Sequence, residues 1–444
     1  MSISLSEHFT NKKLIKFTLP SIAMMIFTSI YMIVDGFFVS NFAGKTAFAA
    51  INLIMPILMI LGTIGFMFGA GGTALVSKTY GEGEKEKASR YFSLIVYFAL
   101  AVGIVLSLIV FIFIKQIAIL LGATGKLLED CVLYARISLI AMPFYILQVM
   151  FQSFFSAAEK PTLGLIITLS SGFMNIILDA ILVILLPQEH KLLGAALASG
   201  VAQMVGAIIP LIYFLKKNGS IFRLGKTRYD GKAIIKACTN GSSEFMTNIA
   251  MSFVGILYNF QLMKFAGENG IAAYGVMMYV SMIFSAVFFG FAMGVSPIVG
   301  YNYGAQNHNE LKNLIKKGLW LVGIFGALMV LSAELLSFTV CKIFVGYDQK
   351  LLEITTYGFR IFALCFIFSG FGIFTSAFFT ALNDGLISAL IAFLRTMVFQ
   401  SIAIYVLPNI FGIDGVWLSI VVAEFMSLVL SAYFLIIKKK KYNY

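Results

Sequence analysis

The sequence predicts an all-α integral membrane protein, with twelve transmembrane helices in two pseudo-symmetric six-helix bundles around a central cavity. Three observations carry that prediction. Sixty per cent of the residues are hydrophobic and only 12% are charged, with a mean hydropathy of +0.95, far outside the range of soluble domains. The apolar residues are gathered into stretches long enough to cross a bilayer. The second half of the chain also repeats the first.

A spanning helix needs about 20 mostly apolar residues. Stretches of that kind run over 14–40, 48–77, 90–114, 131–157, 162–186 and 193–215, then 234–263, 271–300, 313–341, 351–381, 386–409 and 413–437. The breaks between them are short and polar, and none is long enough for a soluble domain. Cys131, Cys238, Cys341 and Cys365 have neither metal-ligand nor redox-motif spacing and read as small buried hydrophobes. The first residues, MSISLSEHFTNKK, lack the charged leader and small-residue cleavage site of a removable signal peptide.

The net charge of +12 orients the chain and gives no support for a nucleic-acid partner. One side of the membrane receives Lys12, Lys13, Lys16, Lys78, Lys85, Lys87, Arg90, Lys160, the basic 216–236 connection, Lys312, Lys316, Lys317 and the tail Lys438 to Lys441. The other side keeps Lys45, Lys115, Lys126, Lys191, Lys264, Lys342 and Lys350. The positive-inside bias then predicts cytoplasmic termini, and an even number of spans agrees in placing both ends on one side.

A shift of 223 residues lays FVSNFAGKTAFAAINL over QLMKFAGENGIAAYGV. Phe42, Ala43 and Gly44 fall on Phe265, Ala266 and Gly267, and the register holds without a gap until Tyr80 and Gly81 fall on Tyr303 and Gly304. A weaker match pairs SFFSAAEKP with AFFTALNDG. Six spans per copy give both copies one orientation, related by a pseudo-two-fold axis along the membrane normal. The expected division is an N-terminal bundle over 1–215, a basic cytoplasmic linker over 216–233, and a C-terminal bundle over 234–444.

Against this apolar background two acids stand out: Asp35 in the first span and Asp179 in the fifth. A charge at mid-bilayer costs about 2.5–3.5 kcal/mol on insertion scales, so an acid there reads first as a functional group. Asn175 lies four residues before Asp179, one helical turn away on the same face. Two carboxylates facing one poorly hydrated space cannot both stay ionised cheaply; they share a proton or gain a cation.

These residues and motifs resemble the multidrug and toxic compound extrusion (MATE) transporters, specifically the bacterial DinF/MepA/NorM-like members. The motifs are Pro20 upstream of the first acid, VDGFFVSNFAG, GAGGTALVSKTYGEG, SAAEKP, NIILD and GAALASGVAQ. Together with the repeat they cover nearly the whole chain. The resemblance implies a cation-coupled antiporter, driven by H⁺ or Na⁺ and needing no other cofactor, that exports amphipathic, mostly cationic small molecules by alternating access. It implies an ion or proton site at Asp35, Asn175, Asp179 and Ser199, where Na⁺ is one candidate occupant, and a bend of the first helix near Pro20. A monomer in the plasma membrane of a prokaryote is the expected state.

Tyr31, one turn before Asp35, leads the candidates for the substrate cavity, with Gln148, Gln152, Gln203, Tyr258 and Gln261 as further polar positions. Glu244 and Arg395 are expected to form a structural charge pair in the C-terminal bundle, because opposite charges offset each other's burial. Glu424 in the last span has no assigned role. The tenth span lacks the mid-helix acid that NorM-like members carry, which argues against a second Na⁺ site. A flippase for lipid-linked sugars is the nearest rival, but only Arg136, Arg360 and Arg395 lie near or inside spans to receive phosphates. His8, His190 and His308 lie in terminal or loop positions and form no catalytic cluster, and nothing suggests a channel filter.

Overall fold

The computed structural model describes residues 3–217 and 219–444, with the side chain of Glu189 left aside. Among the described residues there is no strand. The first six spans are α1 (Asn11–Phe38, continued by a π turn at Val39–Ala43), α2 (Lys45–Gly81), α3 (Lys85–Leu120), α4 (Gly125–Ala157), α5 (Pro161–Leu185) and α6 (Lys191–Leu215). Next comes one continuous 74-residue helical run, Gly231–Gly304. At 1.5 Å per residue it would be about 110 Å long, several times the ~30 Å of bilayer hydrocarbon. It therefore folds back, and Gly267, with φ 60° and ψ −151°, is where it does so. We call its arms α7 (to residue 266) and α8 (from 268).

The next span is α9 (His308–Val345). It is followed by α10, whose parts Gln349–Ala363 and Phe366–Ala381 meet at 47°. The last two are α11 (Gly385–Phe411, with a π turn at Leu394–Phe399) and α12 (Ile413–Tyr442). Twelve spans thus arise among the described residues, as the apolar stretches predict.

The repeat is visible in the backbone. Gly44 and Gly267 both hold left-handed φ values, 96° and 60°, and each turns one span into the next. Glu159 and Asn383 occupy matching turns, after α4 and after α10, with φ 58° and 59°.

Two apolar cores form. One is built by α2–α6 with Phe222 and Leu224 of the connection and the first turns of α7 (Ala233, Ile234, Ala237); the other is built by α8–α12 and the later part of α7. Helix α1 is shared: Leu14, Phe17 and Ile22 of its first half belong to the second core, while Phe27 and Tyr31 of its outer half lie against Gly172 of α5.

Both termini and the basic loops gather at one end of the molecule. Residues 3–9 form a strap across it. Glu159, after α4, accepts hydrogen bonds from Ser4 Oγ (2.8 Å) and Leu5 N (2.7 Å). Glu310 of α9 accepts from Phe9 N (3.0 Å) and pairs with His8 Nδ1 (2.6 Å), and Lys317 donates to the Phe9 carbonyl (2.6 Å). Leu5 and Phe9 of the strap are themselves fully buried.

The halves of the spans nearer this end are in tight contact: Gly241 of α7 lies on Met67 of α2, and Gly290 and Gly294 of α8 lie on Ser21, Ile22 and Thr18 of α1. In the opposite halves, Gly36, Gly255 and Gly275 have open space where a Cβ would be. The tight glycine contacts between the two halves of the chain thus fall at the basic, shut end. Toward the other, slack end these three positions are open, although each half keeps close contacts within itself there, such as Gly172 on Phe27 and Gly415 on Leu407.

Candidate functional site

The first acid is positioned by a close helix crossing. A Cβ on Gly172 of α5 would stand 2.3 Å from Phe27 and 3.2 Å from Tyr31, so the bare glycine lets α1 lie flush against α5. One turn beyond Tyr31, half-buried Asp35 then meets Asn175 and Asp179, which are 2% and 0% exposed. Ser199 of α6 completes the group, donating to Asp35 Oδ1 at 3.5 Å while receiving Asn175 Nδ2 at 3.4 Å. The structure therefore brings together all four residues that the sequence nominates.

What distinguishes the cluster is its unmet demand. Among the described residues, neither oxygen of Asp179 receives a hydrogen bond within 3.5 Å, nor does Oδ1 of Asn175. Buried polar atoms are almost always paired, and among the described residues no lysine or arginine forms an ion pair with either acid. Asp35 and Asp179 act on one another directly. Two adjoining carboxylates, one buried and one half-buried, without a counter-charge call for a proton or a cation. The donor set is oxygen only, carboxylate, amide and hydroxyl, which suits a hard cation as well as H⁺. Tyr134 of α4, buried and within electrostatic reach of both acids, is a neighbour that sequence reasoning missed. One tyrosine among 19, on an apolar span, carries no signal of its own.

Several expectations need correction. Gln148 and Gln152 do not face a space between the bundles. They are buried among α4, α5 and α6, donating to Ser171 Oγ (3.2 Å) and Thr168 Oγ1 (3.5 Å), beside a small cavity bounded by Gly164, Gly206 and Pro210. Tyr258 is 1% exposed and stacks on Tyr274 with ring centroids 5.0 Å apart, inside the second core. Gln203 is half-buried on α6, and Gln261 on α7 keeps a buried Oε1 without a partner. Tyr31, half-buried and adjoining Asp35, stays beside the site.

The expected Glu244–Arg395 pair is also replaced. Arg395 lies in the π turn of α11, and its Nε donates to both carboxylate oxygens of Glu424 on α12, at 2.8 and 3.1 Å. Gly372 of α10 leaves room for the arginine stem, since a Cβ there would come within 3.0 Å of it. Glu244, half-buried on α7, makes no ion pair among the described residues; Arg395 acts on it only from a distance. Glu424 thereby gains the role the sequence left blank.

Pro20 lies within the unbroken part of α1. The proline supplies no N–H to the helix ladder, so a weak point is present below the acids although the helix continues through it.

Comparison with known proteins agrees with this architecture. The family model described as MatE matches the chain twice, over residues 20–181 and 245–406. The chain belongs to that family, the multidrug and toxic compound extrusion transporters. The multidrug export protein MepA of Staphylococcus aureus (strain MRSA252) is 26% identical over 417 residues, covering 93% of this chain and 90% of the relative. MepA of Staphylococcus haemolyticus (strain JCSC1435) is 26% identical over 414 residues with the same coverage. An outward-facing structure of a multidrug resistance MATE family transporter of the MOP superfamily superposes with a TM-score of 0.93. It has 20% identity and covers 99% of this chain and 98% of the other.

Proposed function

We propose that the protein is a cation-coupled multidrug antiporter, exporting amphipathic and mostly cationic small molecules by alternating access in exchange for H⁺ or Na⁺. The observation that carries this reading is Asp179, fully buried, with only the carboxyl of Asp35 acting directly on it and no lysine, arginine or amide among the described residues donating to either of its oxygens. An ion arriving from the slack end discharges the pair. Discharge removes the repulsion between α1 and α5, and α1 bends where Pro20 has removed a rung of its ladder, displacing cargo held near Tyr31. The basic end faces the cytoplasm of a prokaryotic cell, with both termini inside, and one chain is the working unit. The membrane potential supplies about 2.3 kcal/mol per charge per 100 mV, which is roughly a 50-fold substrate gradient per ion at ~1.4 kcal/mol per decade.

A phospholipid-linked cargo is disfavoured by the arginines: Arg395 is occupied by Glu424, while Arg136 and Arg360 stand among exposed apolar side chains. The test is dye transport in proteoliposomes under imposed pH or Na⁺ gradients. Asp35→Asn and Asp179→Asn should each fold and bind dye yet lose gradient-driven transport. Full coupling in either variant overturns the proposal.

A further inference from the structure

Arg136 on α4 and Arg360 on α10 occupy matching places in the two repeats, eleven residues beyond Gly125 and Gln349, where their segments begin. Each points toward the preceding span, at Phe111 of α3 and at Glu334 of α9, which are themselves one repeat apart. At 1.5 Å per residue both arginines lie about 16 Å below the helix starts. Their neighbours are exposed apolar side chains: Leu133, Ile140, Leu108 and Ile112 around Arg136, and Leu331 and Leu335 near Arg360. This is the belt that meets lipid tails.

The two sites differ in one respect. Arg360 is neutralised, with Nε 3.6 Å from Glu334 Oε2 and donating to Ser337 Oγ at 3.1 Å. Arg136 has only the ring of Phe111, 5.3 Å from its guanidinium carbon, and no ion pair among the described residues. A ring face attracts a cation but leaves its charge in place, and a charge in this belt calls for a partner. The arginine stem can reach outward along the helix toward the headgroup level, where its planar fork matches a phosphodiester.

We propose that Arg136, resting on Phe111, binds the phosphodiester of an anionic phospholipid in the leaflet away from the termini, and that Glu334 closes the equivalent site in the other bundle. A net anionic lipid is preferred over a zwitterionic one because the nearest acids above, Glu129 and Asp130, already pair with Lys126 at 3.6 and 3.3 Å. Among the described residues, both of these carboxylates are thus already paired when a headgroup ammonium arrives.

Native mass spectrometry of the full chain with added phosphatidylglycerol or phosphatidylcholine tests the assignment. Wild type should retain one phosphatidylglycerol in preference to phosphatidylcholine. Arg136→Gln should weaken that retention about tenfold or more, the scale of a lost charge-assisted hydrogen bond, while Arg360→Gln leaves it unchanged. Glu334→Gln should add a second retained lipid, a gain that poor folding cannot mimic and whose absence counts against the proposal if Arg136→Gln fails to fold. Equal retention by wild type and Arg136→Gln overturns the assignment, and so does equal loss in Arg360→Gln. Inorganic phosphate alone should not raise the unfolding temperature; an Arg136-dependent rise would make this a soluble-anion site and overturn the lipid.

Discussion

Gly81 and Gly304, one repeat apart, each abut the backbone of the other's helix. A Cβ on Gly81 would stand 2.0 Å from the Tyr301 carbonyl oxygen, and one on Gly304 would stand 2.0 Å from that of Lys78. Lys78 and Tyr301 are themselves one repeat apart, so the contact is its own mirror under the pseudo-two-fold relation. Helices α2 and α8 meet there with no side chain between them, at the shut end of the molecule.

Substitution at this crossing should therefore pry the shut end apart. Gly81→Ala and Gly304→Ala force backbone separation, and overpacking of this kind costs about 1–3 kcal/mol per site. The double variant should make a cysteine placed at buried Ser77 reactive to a membrane-impermeant maleimide. Gly225→Ala, where an added Cβ meets nothing within 4 Å, should leave it protected. Protection in the double variant as well as in Gly225→Ala would show that the glycines do not hold this end closed.

Arg395 and Glu424 form a buried ion pair, and removing one partner strands the other. Glu424→Leu should lower stability by about 3–5 kcal/mol, whereas replacing both with leucine should recover most of that loss. Thermal unfolding in detergent distinguishes the two. Glu244→Gln, with no ion pair to break, should melt close to wild type; a loss as large as that of Glu424→Leu would restore the pairing this structure replaces.

The strap of residues 3–9 joins the turn after α4 to the start of α9, so it should resist their separation. Phe9→Ala removes a fully buried ring, a change that costs about 3–5 kcal/mol in well-packed cores. Spin labels beside Glu159 and Glu310 should report a longer or broader distance distribution in this variant than in wild type. An unchanged distribution together with an unchanged melting temperature would reduce the strap to a passive end.

The readable and unreadable parts of this molecule divide on helix phase. Asp35 and Asp179 are legible because an acid in an apolar run is costly wherever it points. The breaks at Gly44 and Gly267 are legible because the repeat aligns them. The places of Gln148, Gln152 and Tyr258 are not legible, because helices that are apolar all round carry little sign of which face is interior. The partner of Arg395 is not legible, because opposite charge alone does not say which spans pack together, and the arginine meets Glu424 of α12 where α11 lies beside it. Tyr134 was hidden for the first of these reasons: its place beside the acids depends on how α4 is rolled against α1 and α5.

Glu159 and Asn383 share one unusual backbone state although their side chains have nothing in common. Asparagine is at ease there, whereas glutamate bears about 1–3 kcal/mol of strain and holds Ser4 and Leu5 in return. If the halves arose by duplication, the bend of the ancestral chain has outlived the amino acid that first made it. Kinship between such halves is then to be sought in torsion angles where letters have drifted apart.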